Sequence, residues 1–394
     1  MSVTNAVNID DLRKMAKRRL PKIAFDFIEG GVEDESGLQR NESAYSQHRI
    51  VPKYMVDNMN PDQKTTLFGR EYDSPFGIAP TGAAALFRPG ADMMLAEAAV
   101  AANIPFIMSG AATDSIENLA KVAPEHGWYQ LYTANDKPIS EDMIRRAADA
   151  GLSTLVVTVD VPVRPRRERN IRNGFTRPLK MTLATKLEAL RHPGWLMDYY
   201  KHGRPILSNW AQYAPAGATA DEVANFVTTQ TTASLTWDDI ERFRRLWPRN
   251  FVLKGVMHPD DAFRAAELGV DGIMVSNHGA RQLDRAPAPL DVFPAIKAAV
   301  DDRMTLMMDG GVRRGADIIV ALCLGVEFLF MGRPTLYGAA AGGRIGASRA
   351  AQILHNEIKI NMRQMGVQSL DQLGPECLMW EDLDDLRRNI TKIG

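Results

Sequence analysis

The sequence predicts an α/β fold, a closed (β/α)₈ barrel, and two observations support it. Eight short β-rich apolar runs recur along the chain, and segments of helical character separate them. Strands that alternate with helices predict a parallel sheet, and eight such units predict a barrel. A doubly wound open sheet is the alternative. The sequence disfavours it, since no GxGxxG follows the first strand and GxxxxGK[ST] is absent.

The elements follow in chain order. Residues 1–75 supply a helix (IDDLRKMAKRRL) and a hairpin, and the barrel is expected at about 76–340. Its strands are FGIA (76–79), PFIM (105–108), WYQL (128–131), TLVVT (154–158), FVLK (251–254), GIMVS (272–276), TLMMD (305–309) and EFLFM (327–331). Helices between them include 91–102, 140–151, 259–269 and 314–325, and several end in glycine, a common C-cap. The fourth and fifth strands are much farther apart than the others, which predicts an insertion at about 176–235. Residues 337–394 are expected to add C-terminal helices to one domain spanning 1–394.

Composition excludes several classes of protein. The chain has 47 basic and 48 acidic side chains, and its net charge of −1 offers no field to attract nucleic acid. Cys323 and Cys377 are the only cysteines, so we expect no disulfide framework and no metal site, as suits a reducing compartment. The N-terminus lacks the apolar run of a signal peptide, and the apolar stretch 318–332 is too short to span a bilayer. We therefore expect a protein on the cytoplasmic side.

Polar or glycine-rich residues stand at the end of every predicted strand. In order, they are Pro80, Thr81 and Gly82; Ser109; Gln130 and Tyr132; Thr158 and Asp160; Lys254; 276–281; 309–313; and Gly332 with Arg333. In a barrel these positions line the active face, and the last two loops commonly bind phosphate. DGGVR (309–313) and the Gly332-Arg333 pair therefore predict a phosphorylated ligand, which Arg313 and Arg333 can neutralise.

The segment SNHGARQLD (276–284) contains a candidate general base. His278 has the side chain whose unperturbed pKa lies nearest neutrality, and Arg281 can bind a carboxylate through two hydrogen bonds. Asp160, at the end of another strand, can orient the imidazole and stabilise its cation. The alternative is a histidine that caps a helix beside an arginine in a surface ion pair. A base next to a carboxylate site suggests an acid substrate that loses a proton.

These residues resemble the FMN-dependent 2-hydroxy acid dehydrogenases and oxidases, over about residues 5–375. The resemblance implies that His278 removes the substrate's proton with Asp160 as its partner, that Arg281 and Arg167 bind the carboxylate, and that Tyr132 contacts the hydroxyl-bearing end. For FMN it implies contacts from Pro80, Thr81, Gly82, Ser109, Gln130, Thr158, Lys254 and Ser276 to the ring system. It further implies contacts from Asp309, Gly311, Arg313, Gly332 and Arg333 to the ribityl chain and phosphate.

The insertion also bears a resemblance, to the loop that docks membrane-bound mandelate dehydrogenases of this family. Residues 176–215 hold six basic and two acidic residues, a local net charge of +4. We expect Trp195, Tyr199, Tyr200 and Trp210 to be interfacial anchors. The alternative is an ordered lid or a contact between subunits. Membrane docking would make the protein peripheral to the inner face of the cytoplasmic membrane.

Three positions suggest the electron acceptor and the substrate. Gly82 stands where oxidases of the family tend to have alanine, which favours a dehydrogenase. Phe27 replaces the family's usual tyrosine, which hydrogen-bonds the substrate carboxylate. Ala111 stands where glycolate oxidases have tryptophan. Phe27 and Ala111 both favour a bulky side chain such as phenyl.

Three hypotheses follow. The first is an FMN-dependent (S)-2-hydroxy acid dehydrogenase, acting on mandelate or another bulky acid and passing electrons to a quinone or similar membrane acceptor. The second is a soluble oxidase of lactate or hydroxymandelate that produces hydrogen peroxide. The third is a flavin-binding module without turnover, which His278, Arg281 and Tyr132 argue against. The resemblance also implies a homotetramer.

Overall fold

The computed structural model describes residues 2–175, 182–231 and 235–379, which form sixteen α-helices and ten β-strands. The strands are β1 (Thr65–Leu67), β2 (Arg70–Tyr72), β3 (Phe76–Ile78), β4 (Phe106–Met108), β5 (Gly127–Leu131), β6 (Thr154–Thr158), β7 (Asn250–Val256), β8 (Gly272–Val275), β9 (Thr305–Asp309) and β10 (Phe328–Met331).

The helices lie before, between and after these strands. They are α1 (Ile9–Arg19), α2 (Lys22–Glu29), α3 (Ser36–Ser46), α4 (Ala91–Ala101), α5 (Ile116–Val122), α6 (Lys137–Asp149), α7 (Glu168–Arg172), α8 (Leu183–Ala189), α9 (Pro193–His202), α10 (Ser208–Ala211), α11 (Ala220–Gln230), α12 (Trp237–Leu246), α13 (Pro259–Glu267), α14 (Pro289–Val300), α15 (Gly315–Cys323) and α16 (Arg333–Met365), which is kinked at Gly342 and Gly343. Short 3₁₀ helices span Val3–Asn5, Ala84–Leu86, Leu370–Gln372 and Pro375–Cys377.

The predicted barrel is confirmed. Strands β3 to β10 form a closed parallel sheet in sequence order, and β10 pairs with β3, Leu329 opposite Phe76, to close it. Each barrel strand overlaps its predicted run, and the predicted N-terminal hairpin is the antiparallel pair β1–β2. The helix boundaries differ from their predictions by up to three residues. Helix α6 begins at Lys137 rather than at 140, because a proline is accepted in its first turn.

The hairpin β1–β2 closes the N-terminal end of the barrel. Alternate strand residues fill the interior, among them Ile107, Trp128, Val156, Val252, Met274, Met307 and Phe330. Phe68, in the hairpin turn, packs its ring 5.7 Å from that of Trp128. Gly272 makes room for it, because a Cβ there would lie 3.1 Å from the Phe68 ring. The barrel is therefore packed at this end, and space for a ligand is left at the carboxyl ends of the strands.

The insertion folds into helices that pack on the barrel, and this corrects part of the membrane prediction. Trp195 and Trp210, expected as interfacial anchors, are buried. Their indole N–H groups donate to the carbonyls of Leu86 and Gly110, each at 2.7 Å, so they attach the insertion to the loops after β3 and β4. An indole with its hydrogen bond satisfied inside the protein is not available to a bilayer. Of the two tyrosines, Tyr199 stacks on Trp195, and Tyr200 is 92% exposed.

The outer surface of the insertion is apolar and basic. Leu183, Leu187 and Leu190 are exposed at spacings that share one face of α8, and Met197 is exposed on α9. The first residues of the expected docking segment, 176–181, lie outside the described ranges. No helix among the described residues is both long and apolar enough to cross a membrane. Within the same ranges, no cluster of three or more His, Cys, Asp or Glu is arranged to bind a metal.

The buried tryptophan of α10 provides a test of how the insertion is attached. Replacing Trp210 by Phe leaves the Gly110 carbonyl without its donor, which should cost about 1–3 kcal/mol and lower the thermal unfolding midpoint. The matched change Tyr200→Phe, at an exposed ring of the same insertion, should alter stability by less than about 0.5 kcal/mol. Equal midpoints for the two variants would contradict this account.

Candidate active site

The loops after the barrel strands enclose a cavity of about 480 Å³. Most residues singled out from the sequence line it: Phe27, Pro80, Thr81, Gly82, Tyr132, Thr158, Arg167, Lys254, His278, Arg281, Asp309, Gly311, Arg313, Gly332 and Arg333. The others, Ser109, Gln130, Asp160 and Ser276, lie behind this wall and hydrogen-bond to it or to its neighbours. The parallel barrel brings these residues together, because every strand ends at the same rim.

His278 is held against Asp160. Its Nδ1 lies 3.0 and 3.1 Å from the two oxygens of Asp160, and its Nε2 lies 3.4 Å from the hydroxyl of Tyr132. With a carboxylate accepting at Nδ1, the proton of the neutral ring is on Nδ1, and Nε2 has the free electron pair. The hydroxyl of Tyr132 therefore lies on the Nε2 side of the His278 ring, and Nε2 is the atom that can accept a proton from a substrate.

The surroundings set the charge of these groups. Burial lowers the pKa of His278, and the opposing attraction of Asp160 offsets this only in part. Burial raises the pKa of Asp160, but His278 and Lys254 outweigh that effect, and the net shift is downward. Burial raises the pKa of Tyr132, which keeps its phenol protonated. At neutral pH the site thus holds a neutral imidazole, a carboxylate and a phenol that can donate.

Arg167, Arg281 and Arg333 line the cavity and, among the described residues, have no acidic partner. Arg281 donates to the carbonyls of Phe27 and Gly30, at 2.8 and 2.5 Å. Arg333 donates to three carbonyls, including that of Gly30, at 2.9 to 3.0 Å. Arg167 donates to the side-chain oxygen of Gln282 at 3.3 Å.

The charge of these guanidinium groups is therefore unbalanced. Over the described ranges, none of Arg167, Arg281 and Arg333 forms an ion pair with a carboxylate. Desolvation lowers the pKa of each, and the positive charges of its neighbours lower it further. Buried charges are normally paired, so this wall is suited to bind anions.

Lys254 lies in a second, internally balanced polar cluster. Its ammonium donates to Ser276 Oγ and pairs with Asp309, both at 2.9 Å, and Ser276 donates to Asp309 at 2.5 Å. Burial lowers the pKa of Lys254, but Asp309 and Asp160 more than compensate, and the net shift is upward. An ammonium has three donors, and two are used here. Lys254 therefore has one N–H left for a ligand.

Four buried polar atoms at or beside the cavity have no partner among the described residues. They are Thr81 Oγ1, Gln130 Nε2, Thr158 Oγ1 and Asn170 Oδ1. The two threonines line the cavity, and Gln130 sits on β5 beside β6, with its carbonyl oxygen accepting from Ser109 and Gly110. An unpaired buried polar atom is costly, so such atoms are expected where a ligand supplies the partner. A ligand with several donors and acceptors, such as the ring system of FMN, fits this set.

The loop after β9 and the start of α16 can accept a phosphate. Gly310 and Gly311 have φ values of 109° and 82°, which residues with a side chain rarely adopt. A Cβ at Gly311 would also lie 2.1 Å from the Asn41 carbonyl oxygen. Gly332 precedes the first turn of α16, whose free N–H groups favour an anion. Arg313 pairs with Glu42 at 2.8 Å, whereas Arg333 has no carboxylate partner within the described ranges. The donor set fits the phosphate end of FMN.

An aromatic wall faces these polar groups, and part of it was not anticipated. The ring of Phe27 lies 4.6 Å from that of Phe175 and 5.0 Å from the guanidinium of Arg281. No sequence motif surrounds Phe175, so the sequence alone does not indicate it as a residue of the site. Gln282 could have been predicted as a site residue, because it stands beside Arg281 in SNHGARQLD. Its side chain links Arg167 to the Asp160 carbonyl. A Cβ at Gly82 would approach Ala111 Cβ to 3.1 Å, so the two small residues fit each other closely.

Comparison with known proteins gives consistent matches over almost the whole chain. Residues 16–380 match the family described as FMN-dependent dehydrogenase. An (S)-mandelate dehydrogenase of Pseudomonas putida is 36% identical over 377 residues, covering 96% of this chain and 95% of that protein. A putative L-lactate dehydrogenase of Mycobacterium tuberculosis is 38% identical over 371 residues, covering 94% of this chain and 88% of that protein. A crystal structure of the monotopic membrane protein (S)-mandelate dehydrogenase superposes with a TM-score of 0.92 at 36% identity, covering 95% of this chain and 99% of that one.

Proposed function

Because the chain belongs to the family of FMN-dependent dehydrogenases, which oxidise 2-hydroxy acids, we propose that its substrate is an (S)-2-hydroxy acid with a bulky, aromatic side chain of the mandelate type. We further propose that the electrons pass to a membrane acceptor such as a quinone. One observation supports the chemistry above the others. Arg167 and Arg281 have no carboxylate partner in the part of the chain that the structure describes, and they lie in the same cavity wall as a neutral His278 paired with Asp160. An acid substrate supplies the missing negative charge and places its hydroxyl before a base.

The cofactor of this family is FMN, and the wall has groups for each part of it. We propose that Pro80, Thr81, Gly82, Ser109, Gln130, Thr158 and Lys254 hold the ring system, and that Asp309, Gly311, Arg313, Gly332 and Arg333 hold the ribityl chain and phosphate. Ser276 acts indirectly, since its hydroxyl is occupied by Lys254, Asp309 and the His278 amide. FMN held there would accept the α-hydrogen of the substrate together with its two electrons, as a hydride, which leaves the hydroxyl proton for a protein base.

The protein groups act on the substrate in fixed roles. Arg281 and Arg167 bind the carboxylate, and Tyr132 donates to the hydroxyl oxygen. His278 accepts the hydroxyl proton at Nε2, while Asp160 stabilises the imidazolium that forms. Lys254, kept charged by Asp309, stabilises negative charge that develops on the ring system.

Anaerobic mixing with a panel of 2-hydroxy acids tests the function. Mandelate-type acids should bleach the absorbance of the bound flavin, and a quinone analogue should then restore it faster than oxygen does. A flavin that no 2-hydroxy acid reduces would contradict the proposed function, and faster recovery with oxygen would identify an oxidase instead.

The pH dependence tests the pairing of His278 with Asp160. A protonated imidazole cannot accept a proton, so kcat/KM should fall as the pH falls through the pKa of His278, which burial keeps below its usual value of 6.5. Asp160→Asn removes the charge that raises this pKa, so the acid limb should move to lower pH. The same variant should lose about 10²–10⁴-fold in kcat, because the imidazolium is no longer stabilised. Asp260→Asn, at a side chain 92% exposed, is the control and should keep the wild-type profile. An acid limb that moves upward would refute the pairing.

The aromatic wall predicts the substrate preference. Phe27 cannot donate a hydrogen bond, whereas a tyrosine there can donate one to a charged carboxylate, worth about 1.5–3 kcal/mol. Buried phenyl surface offsets that loss at about 25 cal/mol per Å², which small acids cannot match. Phe27→Tyr should therefore raise kcat/KM for lactate and glycolate more than for mandelate, while Phe263→Tyr, at a half-exposed ring on α13, should leave the ratio unchanged. A wild-type protein that prefers glycolate to mandelate would show this account of the pocket to be wrong.

The exposed surface of the insertion suggests that the protein binds to a membrane. We propose that Leu183, Leu187, Leu190, Met197 and Tyr200, with the exposed Lys186, Arg191 and Lys201, contact the cytoplasmic membrane. An apolar face bordered by cations is typical of interfacial helices that bind anionic lipid. On the cavity side, Val227, Thr228 and Thr231 also line the wall, so the insertion serves as a cover for the site as well.

The double variant Leu187→Glu, Met197→Glu tests this surface. It should lose cosedimentation with phosphatidylglycerol vesicles, because the charges oppose both apolar burial and lipid attraction, while reduction of the flavin by mandelate stays within about twofold. Ile360→Glu, at an exposed apolar residue of α16, is the matched control and should still bind. Wild-type protein that remains in the supernatant at low salt would rule out the membrane contact.

A further inference from the structure

The backbone that carries His278 has an unfavourable conformation. His278, Gly279 and Ala280 follow β8 with φ values of 58°, 64° and 59°. Residues with a Cβ, such as His278 and Ala280, seldom adopt this left-handed region. A turn that contains both of them therefore needs support from its surroundings. The conformation directs the imidazole toward Asp160, so whatever stabilises it also positions the base.

The support comes from Asn277, whose side chain uses all of its hydrogen-bonding capacity. Its Oδ1 accepts from the Ala280 amide at 3.1 Å and from Asn41 Nδ2 at 2.8 Å. Its Nδ2 donates to the Pro287 carbonyl at 3.0 Å and to Asn41 Oδ1 at 2.7 Å. An amide has two donors and a carbonyl that can accept twice, so all four positions are filled. The backbone partners fix its orientation, because an amide N–H only donates and a carbonyl only accepts.

Asn41 completes this arrangement from a distant part of the sequence. It lies on α3 of the N-terminal extension, and both asparagines are buried. Helix α3 also binds the far end of the same loop, where Asp284 accepts from Ser36 Oγ at 2.7 Å and from the Gly37 amide at 3.0 Å. The loop from Asn277 to Asp284 is therefore attached to α3 at both ends.

We propose that Asn41 is a positioning residue for the reaction: through the reciprocal amide pair with Asn277 it holds the left-handed turn that presents His278. This proposal rests on the proposed function, in which His278 is the base. It assigns the N-terminal helix α3 a role in catalysis without contact with the substrate.

The chemistry of the pair makes the isosteric variant Asn41→Asp informative. A carboxylate has no donor for Asn277 Oδ1, and its charge would face that oxygen. Asn277 cannot rotate to present its N–H groups instead, since this would set an oxygen against the Pro287 carbonyl and a donor against the Ala280 amide. The turn should lose its support while the volume of the side chain is kept.

The experiment measures flavin reduction by mandelate in stopped flow, using FMN-loaded protein. Asn41→Asp should slow reduction about 10–100-fold, as expected when a base is misplaced. The apparent dissociation constant of mandelate and the FMN content should stay within about threefold of wild type. Ser43→Ala, which removes only a local bond to the Arg40 carbonyl on the same helix, is the control and should reduce at the wild-type rate.

A second experiment, in protein that already carries His278→Gln, distinguishes a positioning role of Asn41 from a general loss of structure. If Asn41 acts through His278, then adding Asn41→Asp to His278→Gln should change the residual rate by less than about twofold, because residues acting as a unit are not additive. Asn41→Ser, which keeps one donor and one acceptor, should give an intermediate rate and serves as the milder variant if Asn41→Asp does not fold.

Each contrary result has a distinct meaning. Wild-type rates for Asn41→Asp and Asn41→Ser, or an equal loss with and without His278, would overturn the positioning role alone. A wild-type protein that no 2-hydroxy acid reduces would overturn the proposed function and this proposal together.

Discussion

The site depends on unbalanced positive charge held inside the barrel mouth. Arg167, Arg281 and Arg333 donate to carbonyl and amide oxygens but, in the described residues, to no carboxylate. Carbonyl dipoles fix the direction of each guanidinium without neutralising it. The folded protein therefore carries uncompensated positive charge at the cavity, at a cost in desolvation that a bound carboxylate or phosphate would recover. Lys254 differs, because Asp309 balances its charge and leaves it one free donor.

The N-terminal extension supplies much of this arrangement. Carbonyls at the end of α2, from Phe27, Ile28 and Gly30, orient Arg281 and Arg333. Helix α3 supports the loops after β8 and β9, the latter through a hydrogen bond of 2.7 Å from Tyr45 to the Gly310 carbonyl. A barrel alone has the strand ends that hold catalytic groups, but it has no element to close over them. The extension fills that place, because Phe27 and Ile28 of α2 form part of the cavity wall.

The inner and outer surfaces of the insertion differ in composition. Its tryptophans face inward, where each indole nitrogen finds a backbone carbonyl, and its leucines face outward with basic neighbours. Burial of a tryptophan ring stabilises the fold at about 25 cal/mol per Å² of apolar surface, and a satisfied indole N–H avoids the cost of an unpaired donor. The buried tryptophans anchor the segment to the barrel, which allows the exposed face to be presented in a fixed orientation.

The sequence by itself determined the order of strands, the closed barrel and the residues at the strand ends, because apolar periodicity and glycine positions are local properties of the chain. The motif SNHGARQLD likewise identified His278 and Arg281 without any knowledge of their contacts. Only the tertiary structure decided the partners of these groups. Asn41 and Asn277 meet across 236 positions in the chain, and no local pattern distinguishes such a pair from two solvated asparagines. In the sequence, Trp195 and Trp210 are aromatic residues in a basic segment, and this pattern does not show whether they face lipid or protein. They face the protein because the folded barrel brings the carbonyls of Leu86 and Gly110 within hydrogen-bond distance of their indole nitrogens.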